Sequence, residues 1–294
     1  MKVFVTGASG YIGQAVVKEL LDNGHSVLGM ARSEEGIRLL QALGAEVHQA
    51  TLEETDKVLE GVRQSDGVIH LAFNHDFSRF AQNCADDCAL VSAMCEALEG
   101  TQKPLLITSG ILIVDLPAGA LAKEDSPCKT VAQSPRAASE DAVRKAAQKG
   151  VRAAIVRLSQ VHDVHRQGLI SYAIALGKEK GELAWVGSGE SQIAAVHLSD
   201  AARLYRLALE RAEAGAVYHG VGESGVKAAD IVRAAGKRLG LPVRSIAAQE
   251  AGAYFGWLNM MASSDMPASS ERTQQQLNWT PRGPGLLHDL DNLA

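Results

Sequence analysis

Short runs of β-branched and apolar residues alternate with amphipathic stretches of helical spacing along the first 160 residues of the chain. This alternation is typical of a parallel sheet that carries helices on both faces. The pattern predicts six strands, at residues 2–6, 26–31, 46–49, 67–72, 104–109 and 152–158. It predicts helices between them at residues 13–22, 35–43, 77–98 and 137–148, each closed by a glycine or an Asn-Gly pair. We therefore expect an α/β fold with a doubly wound parallel sheet.

After residue 160 the alternation gives way to separate helical stretches, at residues 167–180, 199–212, 227–239 and 248–261, with short strands such as 216–219 between them. A final helix over residues 271–277 follows Ser269 and Ser270, either of which can cap it. We predict a sheet domain over residues 1–160, to which parts of the C-terminal region return, and a smaller, mainly helical lobe over residues 161–294. The cleft between the two is the expected ligand site.

Composition narrows the function classes. Of the 294 residues, 46% are hydrophobic and 21% are charged, as in ordinary globular proteins. The formal net charge of -5 gives no attraction to nucleic acids or anionic membranes, so we expect neither as a partner. No stretch approaches the roughly 18 apolar residues of a membrane-spanning helix, and the N-terminus has no room for a signal peptide. We expect a cytoplasmic protein.

Three of the four cysteines, Cys84, Cys88 and Cys95, fall on one face of a predicted helix. The segment supplies no fourth ligand for a metal ion, and no cysteine pair has CxxC spacing. We interpret this stripe as core packing and expect no metal site.

A glycine-rich turn joins the first predicted strand directly to the first helix. Its first glycine permits a tight turn, its second allows the backbone to approach a pyrophosphate, and its third lets the helix pack closely on the sheet. The free amides at the start of the helix would then face the phosphates. This context predicts a dinucleotide-binding site of Rossmann type, with contacts from Gly7, Ala8, Ser9, Gly10, Tyr11, Ile12 and Gly13.

The end of the second strand indicates which dinucleotide binds. NAD-specific sites carry an Asp or Glu about 20 residues beyond the glycines, and the corresponding residue here is Ala31. Arg32 and Ser33 follow it and offer a guanidinium and a hydroxyl where the 2′-phosphate of NADP would lie. We therefore predict that NADP(H) is preferred over NAD(H). In the alternative interpretation, Arg32 is a solvated charge and Ser33 only caps the next helix.

These motifs resemble the extended and atypical short-chain dehydrogenase/reductase superfamily along nearly the whole chain. The segment 67–72 (GVIHLA) looks like the family's fourth strand, 105–110 (LLITSG) like its fifth, and the tail through 277–281 (LNWTP) like the signature of the subgroup often labelled NAD-dependent epimerase/dehydratase. The resemblance implies further cofactor contacts at Thr51, Leu52, Leu71, Ala72, Phe73, Thr108, Arg136, Gln160 and Val161.

The chain departs from the family at the Tyr-x-x-x-Lys pair, in which the lysine lowers the pKa of a tyrosine that exchanges a proton with the substrate. Aligned on Glu140, Arg136 stands at the lysine position and Ala132 at the tyrosine position. A guanidinium can hydrogen-bond a ribose but stays charged near neutral pH, so it does not shuttle protons. The strict alignment also places Gly110 at the family's catalytic serine position.

Four residues remain as candidates for substrate contact or proton transfer. His162 is our first choice as a substitute acid, with Asp163 beside it, and His75 follows the fourth strand at the same edge of the sheet. Ser109 ends the fifth strand, and Tyr172 lies in the first helix of the second lobe. Each has a structural alternative, as a local hydrogen-bonding, capping or packing residue. His197 is interpreted as structural, before a helix capped by Ser199 or Asp200.

The sequence leaves two readings of the function open. In the first, the protein is an NADP(H)-dependent oxidoreductase that transfers hydride to or from a small carbonyl or alcohol with a non-standard proton donor. Nucleotide-sugar epimerase or dehydratase chemistry belongs to the same class. In the second, it is a redox sensor that binds NADP(H) without turnover. Pairing of two chains through the helices at 77–98 and 137–148 is a further expectation.

Overall fold

The computed structural model describes all residues from Met1 to Ala294. The strands are β1 (Lys2–Thr6), β2 (Ser26–Ala31), β3 (Glu46–Gln49), β4 (Gly67–His70), β5 (Leu105–Gly110), β6 (Ala153–Leu158), β7 (Gln160–His162), β8 (Leu183–Val186), β9 (Gln192–His197), β10 (Val217–Gly220), β11 (Glu223–Lys227) and β12 (Val243–Ile246). The helices are α1 (Tyr11–Asp22), α2 (Glu34–Leu43), α3 (Thr55–Arg63), α4 (Phe80–Ala97), α5 (Ala137–Gln148), α6 (Leu169–Lys180), α7 (Leu198–Arg211), α8 (Ala228–Leu239), α9 (Ala248–Phe255), α10 (Asn259–Ala262), α11 (Glu271–Leu277) and α12 (Leu286–Asp291). Single 3-10 turns lie at Phe77–Arg79, Ile111–Ile113 and Gly256–Leu258.

Seven parallel strands form the main sheet, in the order β10-β6-β5-β4-β1-β2-β3. Val3 of β1 lies opposite Val27 on one side and Gly67 on the other. The order reverses between β1 and β4, and ligands of such sheets bind at the carboxyl ends of the strands where this reversal occurs. The predicted doubly wound α/β fold is confirmed.

Both faces of the sheet are buried, which explains why its strands read as nearly continuous apolar runs. Residues of β1, β5 and β6 pack on one face against α1 and α7, with Val16, Leu20 and Leu204 in this layer. Their alternate residues pack on the other face against α3, α4 and α5, with Val91 and Val143 in this layer. The seventh strand, β10, comes from the C-terminal part of the chain, as does α7.

The remaining elements form a smaller body beside the sheet. Helices α6, α8 and α12 share one apolar cluster, and α9 and α10 share another. Two short sheets accompany them, β11-β9-β7 and β12-β8. No helix in the structure combines the length and apolar character needed to cross a bilayer. The division of the chain at residue 160 stays a prediction, as does pairing through α4 and α5.

Candidate cofactor and substrate site

The glycine turn lies where the predicted site requires it, between β1 and α1. Gly7 has a φ of +65°, and a Cβ there would lie 2.8 Å from the Ala72 amide nitrogen. A Cβ on Gly13 would lie 2.0 Å from the Gly7 carbonyl oxygen, so only glycine lets α1 approach the turn. The Gly10 amide donates to the same oxygen at 2.9 Å and closes the turn. Gly7 and Gly13 are therefore required by the local geometry.

The start of α1 is open to an anion. Gly10 precedes the helix, no side chain caps it, and its first turn carries no acidic residue. The amides of Tyr11 and Ile12 begin the helix and provide the positive end of its dipole. Ala8 is buried, and the Ser9 hydroxyl faces α2 near Gly36. Because glycines keep Cβ atoms out of the turn and the amides lack a cap, the segment fits a dinucleotide diphosphate.

Of the two residues that follow β2, Ser33 has a structural role and Arg32 has none. The Ser33 hydroxyl accepts a hydrogen bond from the Gly36 amide at 3.2 Å and so caps α2. Arg32 is exposed and forms neither an ion pair nor a hydrogen bond. Ala31 is buried at the end of β2. The Arg32 guanidinium is therefore free to meet an anion at this end of the strand.

Thr51 and Leu52, two of the predicted cofactor contacts, follow β3. The Thr51 amide donates to Glu54 Oε2 at 2.9 Å, which fixes this loop before α3. Leu52 packs at the margin of the core under α3 and α4. Both residues are half-buried, so each retains a surface that can face a ligand.

A buried hydrogen-bond network links the glycine turn to the start of α5. The His70 ring donates from Nε2 to Asp87 Oδ1 at 3.2 Å, and its Nδ1 lies 2.8 Å from the Thr6 hydroxyl. Arg136 and Ser139 both donate to Asp87 Oδ2. Burial alone would raise the pKa of Asp87, but the hydrogen bond from His70 and the charge of Arg136 lower it to about 2. Asp87 is therefore a carboxylate that holds three donors.

Arg136 is fixed at the carboxyl end of β5. Its Nη2 donates to the Thr108 carbonyl at 2.7 Å, and its guanidinium lies 4.3 Å from the centre of the Phe73 ring. The Thr108 hydroxyl donates to the His70 carbonyl at 2.8 Å and meets the buried Tyr205 hydroxyl at 2.7 Å. A fixed, charged donor thus stands beside the strand ends where the nicotinamide of a bound dinucleotide would lie.

Ser109 and Gly110 differ in what surrounds them. Ser109 is 8% exposed and faces the layer of α5, beside the buried Glu140. A Cβ on Gly110 would meet only the Leu158 carbonyl oxygen, at 3.8 Å. The open position on this strand end is therefore Gly110, and Ser109 lies under the helix.

His162 is brought to a buried site against the C-terminal helix. Its Nδ1 donates to Asp289 Oδ2 at 2.7 Å, and its ring centre lies 5.7 Å from that of His197. Burial lowers the pKa of His162, although Asp289 opposes the shift. Asp163 does not orient this ring, because its carboxylate accepts the amides of His165 and Arg166 instead. His162 is fully buried.

The loop after β7 reaches the glycine turn through Arg166. The Tyr11 hydroxyl donates to the Arg166 carbonyl at 3.1 Å, and the Arg166 guanidinium lies 5.5 Å from the Tyr11 ring centre. Burial and the nearby charge of Asp163 raise the pKa of Tyr11. Gln160 accepts the Leu169 amide at 3.0 Å and Val161 is buried, so both side chains hold the start of the second body.

His75 and Tyr172, the remaining candidates, belong to one row of rings across the cleft. Successive ring centres are 5.5 Å apart from Phe73 to His75, 6.1 Å from His75 to Phe77 and 4.6 Å from Phe77 to Trp257. Tyr172 meets Trp257 edge-on at 5.5 Å. We call these five residues the aromatic row. The row runs from the Arg136 guanidinium, on Phe73, to the second body.

Several of these residues cannot be recognised as site residues from the sequence, and one helix cap is predicted at the wrong residue. The sequence alone does not indicate a site role for His70 or Asp87. His70 lies in the predicted strand at 67–72, and Asp87 lies in the predicted helix at 77–98. The helix α7 is capped by His197, whose Nδ1 accepts the Ser199 amide at 3.2 Å, so the expected cap by Ser199 or Asp200 is wrong. Asp200 instead accepts the amides of Arg282 and Gly283.

A cavity of about 550 Å³ lies away from this cleft. Its lining includes Glu124, Cys128, Arg144, Arg157 and Arg272, and none of the predicted site residues. The Arg157 guanidinium there is fully buried and bonds to Glu140 and to the Cys128 sulfur. These contacts are internal to the fold.

Comparisons with known proteins agree with this architecture. The NAD dependent epimerase/dehydratase family matches residues 3–221. An uncharacterized protein of Schizosaccharomyces pombe is 42% identical over 99% of this chain and 98% of its own length. The decarboxylating sterol-4-alpha-carboxylate 3-dehydrogenase of Dictyostelium discoideum is 25% identical over 74% of this chain and 70% of its own.

Among solved structures, the dTDP-glucose 4,6-dehydratase of Bacillus anthracis, in complex with NAD, has the same fold. It superposes with a TM-score of 0.78 at 13% identity, over 100% of this chain and 95% of its own. The family match spans most of the chain and includes the glycine turn, both strand ends of the cleft and α5. The chain belongs to the NAD dependent epimerase/dehydratase family.

Proposed function

We propose that this protein is an NADP(H)-dependent oxidoreductase that interconverts a small carbonyl compound and the corresponding alcohol. The observation that carries the proposal is the uncapped glycine turn at the start of α1 together with the unpaired Arg32. The turn suits a diphosphate and the guanidinium suits the 2′-phosphate that distinguishes NADP from NAD. The sterol dehydrogenase relative supports oxidoreductase chemistry in this family.

The bound coenzyme would supply hydride, and the chain's own residues would bind it, orient it and deliver a proton. Arg136, held by Asp87 and the Thr108 carbonyl, is placed to hydrogen-bond the nicotinamide ribose. The adjoining wall of the cleft would be formed by Thr6, Leu71 and Ala72. The Ala72 amide donates to the Thr6 hydroxyl at 3.2 Å and fixes the two residues to each other. These contacts fix this part of the cleft before any substrate enters.

Among the four candidates for proton transfer, His75 is the one we assign. Ser109 is buried under α5 and His162 against Asp289, whereas His75 is exposed within the aromatic row. Partial burial and the nearby Arg166 and Arg136 charges lower the pKa of His75. In reduction, the His75 imidazolium would give its proton to the carbonyl oxygen of the substrate, and solvent would restore that proton. Tyr172 contacts substrate at the far end of the row.

Two alternative functions compete with this proposal. A redox sensor would use the same coenzyme site without turnover, and a nucleotide-sugar enzyme would need cations for a diphosphate in the second body. No Lys or Arg occurs at residues 167–177 or 245–271, which include the parts of that body nearest the aromatic row. The oxidoreductase hypothesis fits best a surface that has no basic residues in these stretches.

The test is to incubate the purified protein with NADPH and a panel of aldehydes, ketones, quinones and enones, and to follow the absorbance of the reduced nicotinamide. We expect oxidation of NADPH with at least one carbonyl class, and a rate at least about tenfold lower in His75→Asn. His288→Asn, which changes an exposed histidine of α12, is the matched control and should keep the wild-type rate. Tight NADPH binding without any oxidation would favour the sensor instead.

A further inference from the structure

The aromatic row leaves one large apolar surface open at the cleft. Trp257 is 50% exposed although Phe77 stacks on its ring with an interplanar angle of 20°. Tyr172, 40% exposed, and Met260, 66% exposed, add to the same region. Exposed large apolar side chains that adjoin one another mark binding surfaces more often than isolated ones do.

The second-body side of this surface also lacks basic residues. The segment that carries Trp257 and Met260 has no basic residue from position 245 to position 271, and α6 has none before Lys178. Of the guanidinium groups near the row, that of Arg136 is paired with Asp87, whereas those of Arg79, beside Phe77, and Arg166, over Tyr11, are exposed and form no ion pair. The stretches around Trp257 and Tyr172 therefore offer a ligand diphosphate no cation of their own.

We propose that the cleft takes an uncharged carbonyl compound with a planar ring, and that Trp257 determines this specificity by stacking on the ring. The inference rests on the proposed oxidoreductase function and adds the substrate class to it. The ligand ring stacks on the face of the indole that Phe77 leaves open. Offset stacking of rings is favourable beyond the apolar area that it buries.

Ring binding is testable without turnover, in protein saturated with the oxidised coenzyme NADP⁺. We would titrate this complex by calorimetry with 2-acetonaphthone, with the aliphatic ketone 2-octanone and with UDP-glucose. The expected order of affinity is 2-acetonaphthone first, 2-octanone at least about tenfold weaker, and UDP-glucose without measurable binding. Tighter binding of UDP-glucose than of 2-acetonaphthone would overturn the proposal.

Variants locate the ring. Trp257→Ala should weaken 2-acetonaphthone at least about tenfold and leave 2-octanone within about threefold, while Trp257→Phe keeps most of the ring affinity. The control is Trp185→Phe, since Trp185 lies in β8 against Arg233, outside the row. Equal 2-acetonaphthone affinity in wild type and Trp257→Ala would contradict the assignment to Trp257.

The affinity for NADP⁺, measured separately in each variant, distinguishes the two proposals. If NADP⁺ fails to bind wild-type protein, the proposed function fails, and the same ketone titration without coenzyme still decides whether Trp257 binds rings. If NADP⁺ binds and the ring ketone does not, the substrate class is wrong and the coenzyme site stands.

Discussion

Arg136 and Asp87 form a buried ion pair that joins the start of α5 to α4, and the same carboxylate accepts a hydrogen bond from His70. The sequence predicts Arg136 at the position of the lysine in the family's Tyr-x-x-x-Lys pair. The pair therefore holds a positive charge at this position without leaving a group that can give up its proton near neutral pH. Asp87 acts on the site through Arg136, as a positioning residue.

The first prediction concerns Asp87→Asn. Loss of this carboxylate leaves Arg136 without its charged partner, so we expect unfolding to become easier by about 3 kcal/mol near neutral pH. Asp86→Asn, one residue earlier on the exposed face of α4, should change stability by less than about 0.5 kcal/mol. Urea titrations of the three proteins measure both effects. A loss in Asp87→Asn no larger than that in Asp86→Asn would contradict the network.

The same pair predicts a pH dependence. The pKa of Asp87 is lowered to about 2 in the folded protein, so on acidification the unfolded chain takes up the proton first. This contribution to stability is present above about pH 4 and is lost as the pH falls toward 2, by about 2 kcal/mol in all. Between about pH 5 and pH 3 the stability difference between wild type and Asp87→Asn should narrow by about 1 kcal/mol. A constant difference would show that Asp87 titrates normally.

Arg32→Ala tests the choice of coenzyme. We expect NADPH affinity to fall about ten- to a hundredfold, because a hydrogen-bonded charge partner of the 2′-phosphate is removed, and NADH affinity to change by less than about twofold. Arg63→Ala, at the end of α3, is an exposed control of equal charge. Equal losses for both coenzymes would remove Arg32 from the phosphate site.

Gly13→Ala tests the fit of α1 to the turn. The added methyl group would lie 2.0 Å from the Gly7 carbonyl oxygen, so α1 must move, and we expect a stability loss of more than about 2 kcal/mol and no detectable NADPH binding. Gly252→Ala, in α9, meets no atom within 4 Å and should stabilise the protein by about 0.5 to 1 kcal/mol. Thermal unfolding of both variants measures the change in stability, and coenzyme titration measures NADPH binding.

His162→Asn separates a structural from a catalytic histidine. The change breaks the bond to the buried Asp289, so we expect a stability loss of about 3 kcal/mol, with the turnover of folded protein within about twofold of wild type. Urea titration and carbonyl reduction at saturating NADPH measure the two quantities. A hundredfold loss of turnover at unchanged stability would return the catalytic role to His162.

Most of the sheet could be predicted from the sequence, because strands buried on both faces read as apolar runs. The predicted bounds of β1, β2, β3, α5 and α11 match those of the structure. Helix α3 was missed because its nine residues carry only a short apolar stripe, and β7 because it follows β6 after one residue. In the second body, β8, β11 and β12 have four or five residues, and neither they nor β9 show a clear alternation of apolar and polar residues.

The site likewise has one part that the sequence predicts and one part that it does not. The glycine turn is local, so its residues and their spacing suffice to predict its shape. The His70 and Asp87 pair depends on how α4 packs against β4, and the burial of His162 depends on Asp289, 127 residues further along the chain. No local pattern contains such pairings, and the ring contacts between Phe77 and Trp257 are equally remote in sequence.

Calorimetric titration of the purified protein with NADPH and NADH tests the central claim most directly. We predict that NADPH binds with a dissociation constant in the micromolar range and that NADH binds at least about tenfold more weakly, since only NADPH meets Arg32. If neither coenzyme binds at millimolar concentration, the glycine turn is not a dinucleotide site and the proposed function is wrong.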